Sequence, residues 1–232
     1  MNILITGASQ GIGAAAAIEL TNMGHKVLAL ARNQSKLKDL KVSVKTAGKG
    51  SLEYLATDIT KLDDKVLKGK IEDLGGLDVL INNAGLLKKG NFDQLTLEDW
   101  KSTFEVNLFS QVHLIRLCLP FLEKRKHAHI VNIGSMGGYQ GGLRFEGLSA
   151  YAASKAALAN LTESLAVELA NQKIAVNCLA LGAVQTEMLG TAFPDYQAPL
   201  VPEKMAQYIA WFSTEGQAFF NGKILPVSIS NP

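Results

Sequence analysis

Three residues in this chain have types and spacings suited to moving a proton: Ser135, Tyr151 and Lys155. Tyr151 and Lys155 are four positions apart in Ser149-Ala150-Tyr151-Ala152-Ala153-Ser154-Lys155, and Ser135 stands sixteen residues before the tyrosine, at the end of an apolar run. The pattern predicts a helix over 151–170. Positions i and i+4 share a helix face, so the ammonium is expected against the phenol oxygen. A free tyrosine titrates near pH ~10, which makes it a poor acid–base group at neutral pH. A nearby cation favours the phenolate, and a fall of ~3 units corresponds to ~4 kcal/mol of differential interaction. The phenol would then exchange a proton near working pH. A Tyr-xxx-Lys pair also occurs on ordinary amphipathic helices, with the tyrosine packed and the lysine solvated, so the elements around it must decide.

The first of these elements is N-terminal. Asn2-Ile3-Leu4-Ile5 is a short apolar run, followed at once by Thr6-Gly7-Ala8-Ser9-Gln10-Gly11-Ile12-Gly13 and then by an alanine-rich stretch, Ala14 to Leu20, that reads as helix ending around Gly24. The order is strand, glycine turn, helix. Glycines 7, 11 and 13 allow a tight turn and close approach to a pyrophosphate, with Ser9, Gln10 and Ile12 completing the turn. The helix N-terminus supplies free N–H groups and a positive dipole end. A glycine-rich turn alone is weak, but in this context it predicts dinucleotide binding.

Two further segments complete a pattern: Ile81-Asn82-Asn83-Ala84-Gly85 at the end of an apolar strand, and Asn107 within Glu105-Val106-Asn107-Leu108. With the glycine turn, Ser135 and Tyr151-xxx-Lys155, the chain resembles the single-domain short-chain dehydrogenase/reductases. The motifs follow the family's order from Thr6 to at least Thr186. The resemblance implies catalytic roles for Asn107, Ser135, Tyr151 and Lys155. It implies that Asp58 and Ile59 face the adenine, that Asn83, with Ala84 and Gly85, lies beside the adenine ribose, and that Val184 and Thr186 approach the nicotinamide. It also implies a homodimer or homotetramer paired through helices 97–125 and 151–171. Leu108, Val112, Leu158 and Leu161 could serve that interface or the core. The chain departs from the family at Leu181-Gly182, where relatives usually carry Pro-Gly.

Composition narrows the field. The 232 residues suffice for one α/β domain, 1–232, with a full core, and the net charge of +2 gives no broad basic field for nucleic acid. Lys124-Arg125-Lys126 reads as a solvated helix end. Cys118 and Cys178 lie in apolar surroundings and suggest no disulfide framework. His127 and His129 lack a third ligand, so no metal is expected. No apolar run is long enough for a bilayer, and a strand beginning at Asn2 leaves no room for a leader, so a cytoplasmic protein without membrane contact is expected.

Apolar runs at Ile3–Ile5, Val27–Leu30, Leu52–Ala56, Val79–Ile81, Ile130–Ile133, Ala175–Leu179 and Ile224–Val227 alternate with helical patterns. They predict an α/β, Rossmann-type doubly wound sheet of about seven mostly parallel strands with helices on both faces. Thr96 should cap a long helix, and Pro120 should bend or end it.

The second strand bears on the cofactor. An acidic residue at its end would bind the ribose hydroxyls of NAD, but Ala31 stands there, followed by Arg32-Asn33. A guanidinium suits a 2′-phosphate, which favours NADP(H), with NAD(H) still possible. Gln10 is a departure, because NADP-preferring relatives often carry a second basic residue there. The expected activity is reduction of a small-molecule carbonyl (a ketone, aldehyde or 3-oxoacyl compound), with Tyr151 donating the proton and Ser135 holding the oxygen. The alternatives are an NAD-dependent alcohol or hydroxysteroid dehydrogenase, or a non-catalytic cofactor sensor. In the loop 137–147, Tyr139, Leu143 and Phe145 could line an apolar pocket and Arg144 could meet an anionic group. In the expected lid, 187–202, Leu189, Phe193 and Tyr196 suggest an apolar cover.

Overall fold

Alternation of short apolar runs with helical stretches produces one seven-stranded sheet in the computed structural model, which describes residues 1–44, 50–142 and 144–229. The strands are β1 (Asn2–Thr6), β2 (Lys26–Ala31), β3 (Ser51–Ala56), β4 (Val79–Asn82), β5 (Ala128–Ser135), β6 (Ile174–Leu181) and β7 (Ile224–Val227). Their order is β3-β2-β1-β4-β5-β6-β7, and every pairing is parallel. The chain direction across the sheet reverses between β1 and β4. A crevice at the carboxyl ends of these strands is where doubly wound folds bind ligands.

The helices are α1 (Gly11–Asn22), α2 (Gln34–Ser43), α3 (Asp64–Leu74), α4 (Leu97–Phe104), α5 (Ser110–Leu122), α6 (Ser149–Glu168), α7 (Glu187–Ala192) and α8 (Pro202–Glu215). Alternate strand residues point to opposite faces. Ile3 and Ile5 therefore join one core with Ala16 and Leu20 of α1 and Phe212 of α8, while Leu4 joins the other with Leu67 and Ile71 of α3 and Leu114 of α5. The inner strands β1, β4, β5 and β6 are buried on both faces, as the centre of a parallel sheet requires, whereas the edge strands β3 and β7 are partly exposed.

Two sequence expectations change in detail. The helix expected over 97–125 begins at the Thr96 cap as anticipated, with a full capping box to Asp99, but a π-helical turn, Glu105–Phe109, separates α4 from α5. Pro120 lies inside α5 and the helix continues to Leu122. Leu158 is fully buried within the chain and belongs to the interior. Of the loop positions singled out above, Leu143 lies outside the described residues.

Candidate active site

The glycine turn owes its shape to close backbone approach. Gly7 has a φ of +68°, and a side chain on Gly13 would collide with the Gly7 carbonyl and with Asn83 Nδ2. Thr6 and Asn83 lock the ends of β1 and β4 together. Thr6 Oγ1 accepts from the Asn83 and Ala84 amides at 3.0 and 2.9 Å, and Asn83 Nδ2 donates to the Thr6 carbonyl at 2.8 Å. Gln10, the N-cap of α1, gives its helix no side-chain cap, and the first turn holds no acid. The positive end of α1 therefore faces the crevice uncompensated, the arrangement that suits a phosphate.

That crevice is a cleft of about 800 Å³, within the ordinary range for small-molecule sites. Every expected cofactor residue lines it: Gly7, Ser9 to Gly13, Arg32, Asn33, Asp58, Ile59, Asn83 to Gly85, Val184 and Thr186. Ser135, Tyr151 and Lys155 line the same cleft. Partial burial works against ionisation of Asp58. Even so, hydrogen bonds from the Thr60 amide and hydroxyl, with the Arg32 and Lys61 charges, hold its carboxyl below the usual range. The glycine cradle, the bare helix terminus and Arg32 fit a nicotinamide dinucleotide.

At the catalytic end, Ser135 ends β5 and its Oγ accepts from the Gly137 amide at 3.2 Å. Gly138 has no room for a side chain, which would come within 2.7 Å of the Lys155 and Ala156 backbone. The turn after Ser135 therefore lies directly on the part of α6 that carries the lysine. Burial pushes the Tyr151 phenol up from its ordinary pKa, and a hydrogen bond with the Ser135 side chain works in the other direction. Burial pulls Lys155 down to about 8.

The buried lysine takes a hydrogen-bond partner that the sequence did not suggest. Lys155 Nζ donates to the Ile133 carbonyl at 2.7 Å and stands 5.9 Å from the centre of the Tyr151 ring. The reason is burial: an ammonium only 3% exposed must be hydrogen-bonded, and the end of β5 supplies the acceptor.

Asn107 is the one expected site residue that does not line the cleft. It sits behind Gly85 in the π-helical turn, where its Oδ1 accepts from the Leu86 amide at 2.7 Å. Its Nδ2 donates to the Leu86 carbonyl and to Ser154 Oγ, each at 2.9 Å. A side chain on Gly85 would lie 3.5 Å from Asn107 Oδ1 and 3.6 Å from Lys155 Nζ, so the asparagine and the lysine flank this glycine.

The sequence reading missed Ser154, although its place between Tyr151 and Lys155 was a signal. It also missed a buried chain across the sheet. Asn82 Nδ2 donates to Asn132 Oδ1 at 2.8 Å, and Asn132 Nδ2 donates to Thr162 Oγ1 at 2.9 Å. Amides inside otherwise apolar strands were the available clue.

On the other side of Tyr151 the cleft is apolar, with Leu86, Met136, Phe145, Leu189, Phe193 and Tyr196 among its walls. Phe145, Leu189, Phe193 and Tyr196 are where the sequence suggested, whereas Tyr139 does not line the cleft. Arg144 donates to the Tyr139 and Gly142 carbonyls of its own loop. Lys89 donates to the Ala192 carbonyl at 2.8 Å and lies 4.1 Å from the Phe193 ring centre. The lid is pinned at its base, where Val184 bridges Leu200 and the Gln185 amide donates to the Leu200 carbonyl.

Comparison with known proteins agrees with this architecture. The pattern of the short chain dehydrogenase family matches residues 1–197. The chain is 31% identical to the 3-oxoacyl-(acyl-carrier-protein) reductase FabG of Escherichia coli strain K12 over 235 aligned positions, covering 97% of this chain and 94% of that protein. A candidate NAD(P)-dependent gluconate 5-dehydrogenase from Beutenbergia cavernae, solved with NADP at low occupancy, superposes with a TM-score of 0.86 at 29% identity, over 98% of this chain and 94% of its own. A 3-ketoacyl-(acyl-carrier-protein) reductase from Brucella melitensis, complexed with NADH, gives 0.87 at 26% identity, over 97% and 96%. The chain belongs to the short-chain dehydrogenase family and is an oxidoreductase acting at the CH–OH/C=O level with a nicotinamide cofactor. No helix among the described residues is long and apolar enough to cross a membrane.

Proposed function

We propose that the chain is an NADP(H)-dependent reductase of an uncharged, largely apolar carbonyl compound. The observation that carries this reading is the shared cleft: Ser135, Tyr151 and Lys155 line the same cavity as the glycine turn and Arg32. The bound cofactor supplies a hydride to the carbonyl carbon. Tyr151 gives its phenolic proton to the carbonyl oxygen, and Ser135 Oγ donates a hydrogen bond to that oxygen as charge develops there. The alcohol leaves and Tyr151 recovers a proton from solvent. Asn107 acts as a positioning residue in this scheme. All three hydrogen bonds of its side chain go to Leu86 and Ser154, which braces the loop beside Lys155.

Arg32 favours NADP(H), because it lines the adenine end of the cleft where no acidic side chain follows β2. The substrate class follows from the walls. They are apolar, and the two nearby cations are engaged, Arg144 by its own loop and Lys89 by Ala192 and Phe193. An anionic substrate group would find no partner in either. We read residues 1–232 as one catalytic unit of a cytoplasmic homodimer or homotetramer, with exposed Leu97, Phe109 and Val167 on the helices available for pairing.

The test is NADPH consumption by the purified protein against ketones, aldehydes, diketones, 3-oxoacyl thioesters and 2-oxo acids, with NADH in parallel. Turnover of neutral apolar carbonyls with NADPH is expected. Turnover confined to oxo acids, or equal use of both cofactors, would contradict the reading.

A further inference from the structure

We infer that Lys36, which no sequence motif singles out, is a second cationic ligand for the 2′-phosphate of NADP(H), standing in for the basic residue absent at Gln10. The inference rests on the NADP(H) reading above. Lys36 lies in the first turn of α2, three residues after the cap Asn33, whose side chain accepts from the Lys36 amide at 3.0 Å. Its Nζ reaches out of the helix to donate to Gln10 Oε1 in the glycine turn, 26 positions earlier. Gln10, Arg32 and Asn33 all line the cleft. The ammonium is therefore carried to the glycine turn by a different element from the one that would usually supply a cation there.

The electrostatics of α2 support a ligand role. A lysine in a first turn opposes the helix dipole, and α2 has no acid in that turn to offset it. The positive helix end, Lys36 and Arg32 thus converge at the rim of the adenine half of the cleft, where an anion relieves the arrangement. Among the described residues, the carboxylate that Lys36 meets is that of Glu187 at the start of α7, at 3.5 Å, with the lysine side chain 44% and the glutamate 69% exposed. Such an exposed pair is weak. A phosphate carrying up to two charges and several acceptor oxygens competes well for the same ammonium. Gln10 then has a positional role, holding the lysine toward the cleft.

The test is a set of direct binding titrations, using nicotinamide fluorescence, of NADPH and NADH to the wild-type protein, Lys36→Met and Lys36→Arg. The 2′-phosphate role predicts that Lys36→Met raises the Kd for NADPH about tenfold, leaves the Kd for NADH within about twofold, and is largely rescued by Lys36→Arg. An unchanged NADPH affinity would overturn the inference and leave Lys36 a surface residue. An equal loss for both cofactors would overturn it too, by placing the lysine on the shared pyrophosphate or in the fold. A wild-type protein with no preference for NADPH over NADH would instead remove the cofactor reading itself. That result is distinguishable, because it appears before any substitution is made.

Discussion

Lys155 Nζ donates to the Ile133 carbonyl at 2.7 Å, so the one buried ammonium at the site is anchored to the strand that ends in Ser135. Its charge is held beside Tyr151, 5.9 Å from the ring centre. Burial raises the phenol pKa and lowers the lysine to about 8. In the cofactor-free protein the lysine therefore loses its proton at lower pH than the tyrosine does.

This order makes a pH prediction. The kcat/KM for NADPH reports groups on the free enzyme. It should fall as pH rises through about 8, where the Lys155 charge is lost while Tyr151 remains protonated. Lys155→Met should lower the rate by roughly 10²- to 10³-fold and abolish that alkaline limb. A limb that persists near pH 8 in the variant would assign it to another group.

Asn107 should matter to stability as well as to rate. Replacing it with alanine removes three hydrogen bonds, one buried and two partly buried, and leaves both main-chain groups of Leu86 without this partner. Each such bond contributes a net ~0.5–1.5 kcal/mol, so a destabilisation of roughly 2–4 kcal/mol is expected in denaturant unfolding. Ser154→Ala, which removes one of these bonds, should cost about 1 kcal/mol. Equal effects of the two variants would contradict the bracing role.

The adenine end makes a cofactor prediction. Ala31→Asp places a carboxylate at the end of β2, and Arg32→Ala removes the guanidinium beside it. Each should shift the NADPH-to-NADH ratio of kcat/KM toward NADH by about tenfold or more. A ratio unmoved by both changes would place the 2′-phosphate elsewhere.

A separate pH effect belongs to the fold. His129 is fully buried, and its neighbours settle its tautomer. Nδ1–H donates to the Ser213 carbonyl at 3.1 Å, and Nε2 accepts from Asn177 Nδ2 at 3.0 Å. The Asn177 amide is itself oriented by bonds to the Phe220 carbonyl and the Lys223 amide. A proton on Nε2 would face a donor, and burial, partly offset by the hydrogen bond to the Ser213 carbonyl, holds the imidazole at a pKa of about 4. The folded pKa lies below the unfolded value of ~6.5, so the unfolded chain binds the proton first on acidification. This contribution is complete above pH ~6.5 and is lost as pH falls toward 4, amounting to roughly 3 kcal/mol. His129→Gln should flatten the acid side of a stability-against-pH curve; an unchanged slope would show that other groups set it.

The legible parts of the site were those encoded locally. The glycine turn, Asn83 to Gly85 and Tyr151-xxx-Lys155 all line the cleft as expected, because each is a short segment at the carboxyl end of a strand or on one helix face. The sheet was legible for the same reason, and observed strands extend the expected runs by only a few residues, as at Ala128–Ser135. What escaped depends on residues distant in sequence. The acceptor for Lys155 is a carbonyl 22 residues away, and the partner of Lys36 is 26 away. The π-helical turn leaves no clear mark in Glu105-Val106-Asn107-Leu108-Phe109, although it places Asn107 behind the cleft. Arg144, read from sequence as an anion contact, turns back to the Tyr139 and Gly142 carbonyls of its own loop, five and two residues away.

The most direct test of the central claim pairs turnover with binding in Tyr151→Phe. NADPH oxidation against the panel of neutral ketones, aldehydes and diketones is measured for wild type and variant, beside the Kd for NADPH. The account predicts selective NADPH oxidation by the wild type, a loss of at least about 10²- to 10⁴-fold in the variant, and NADPH affinity within a few-fold of wild type. Near-normal turnover without the phenol would contradict it.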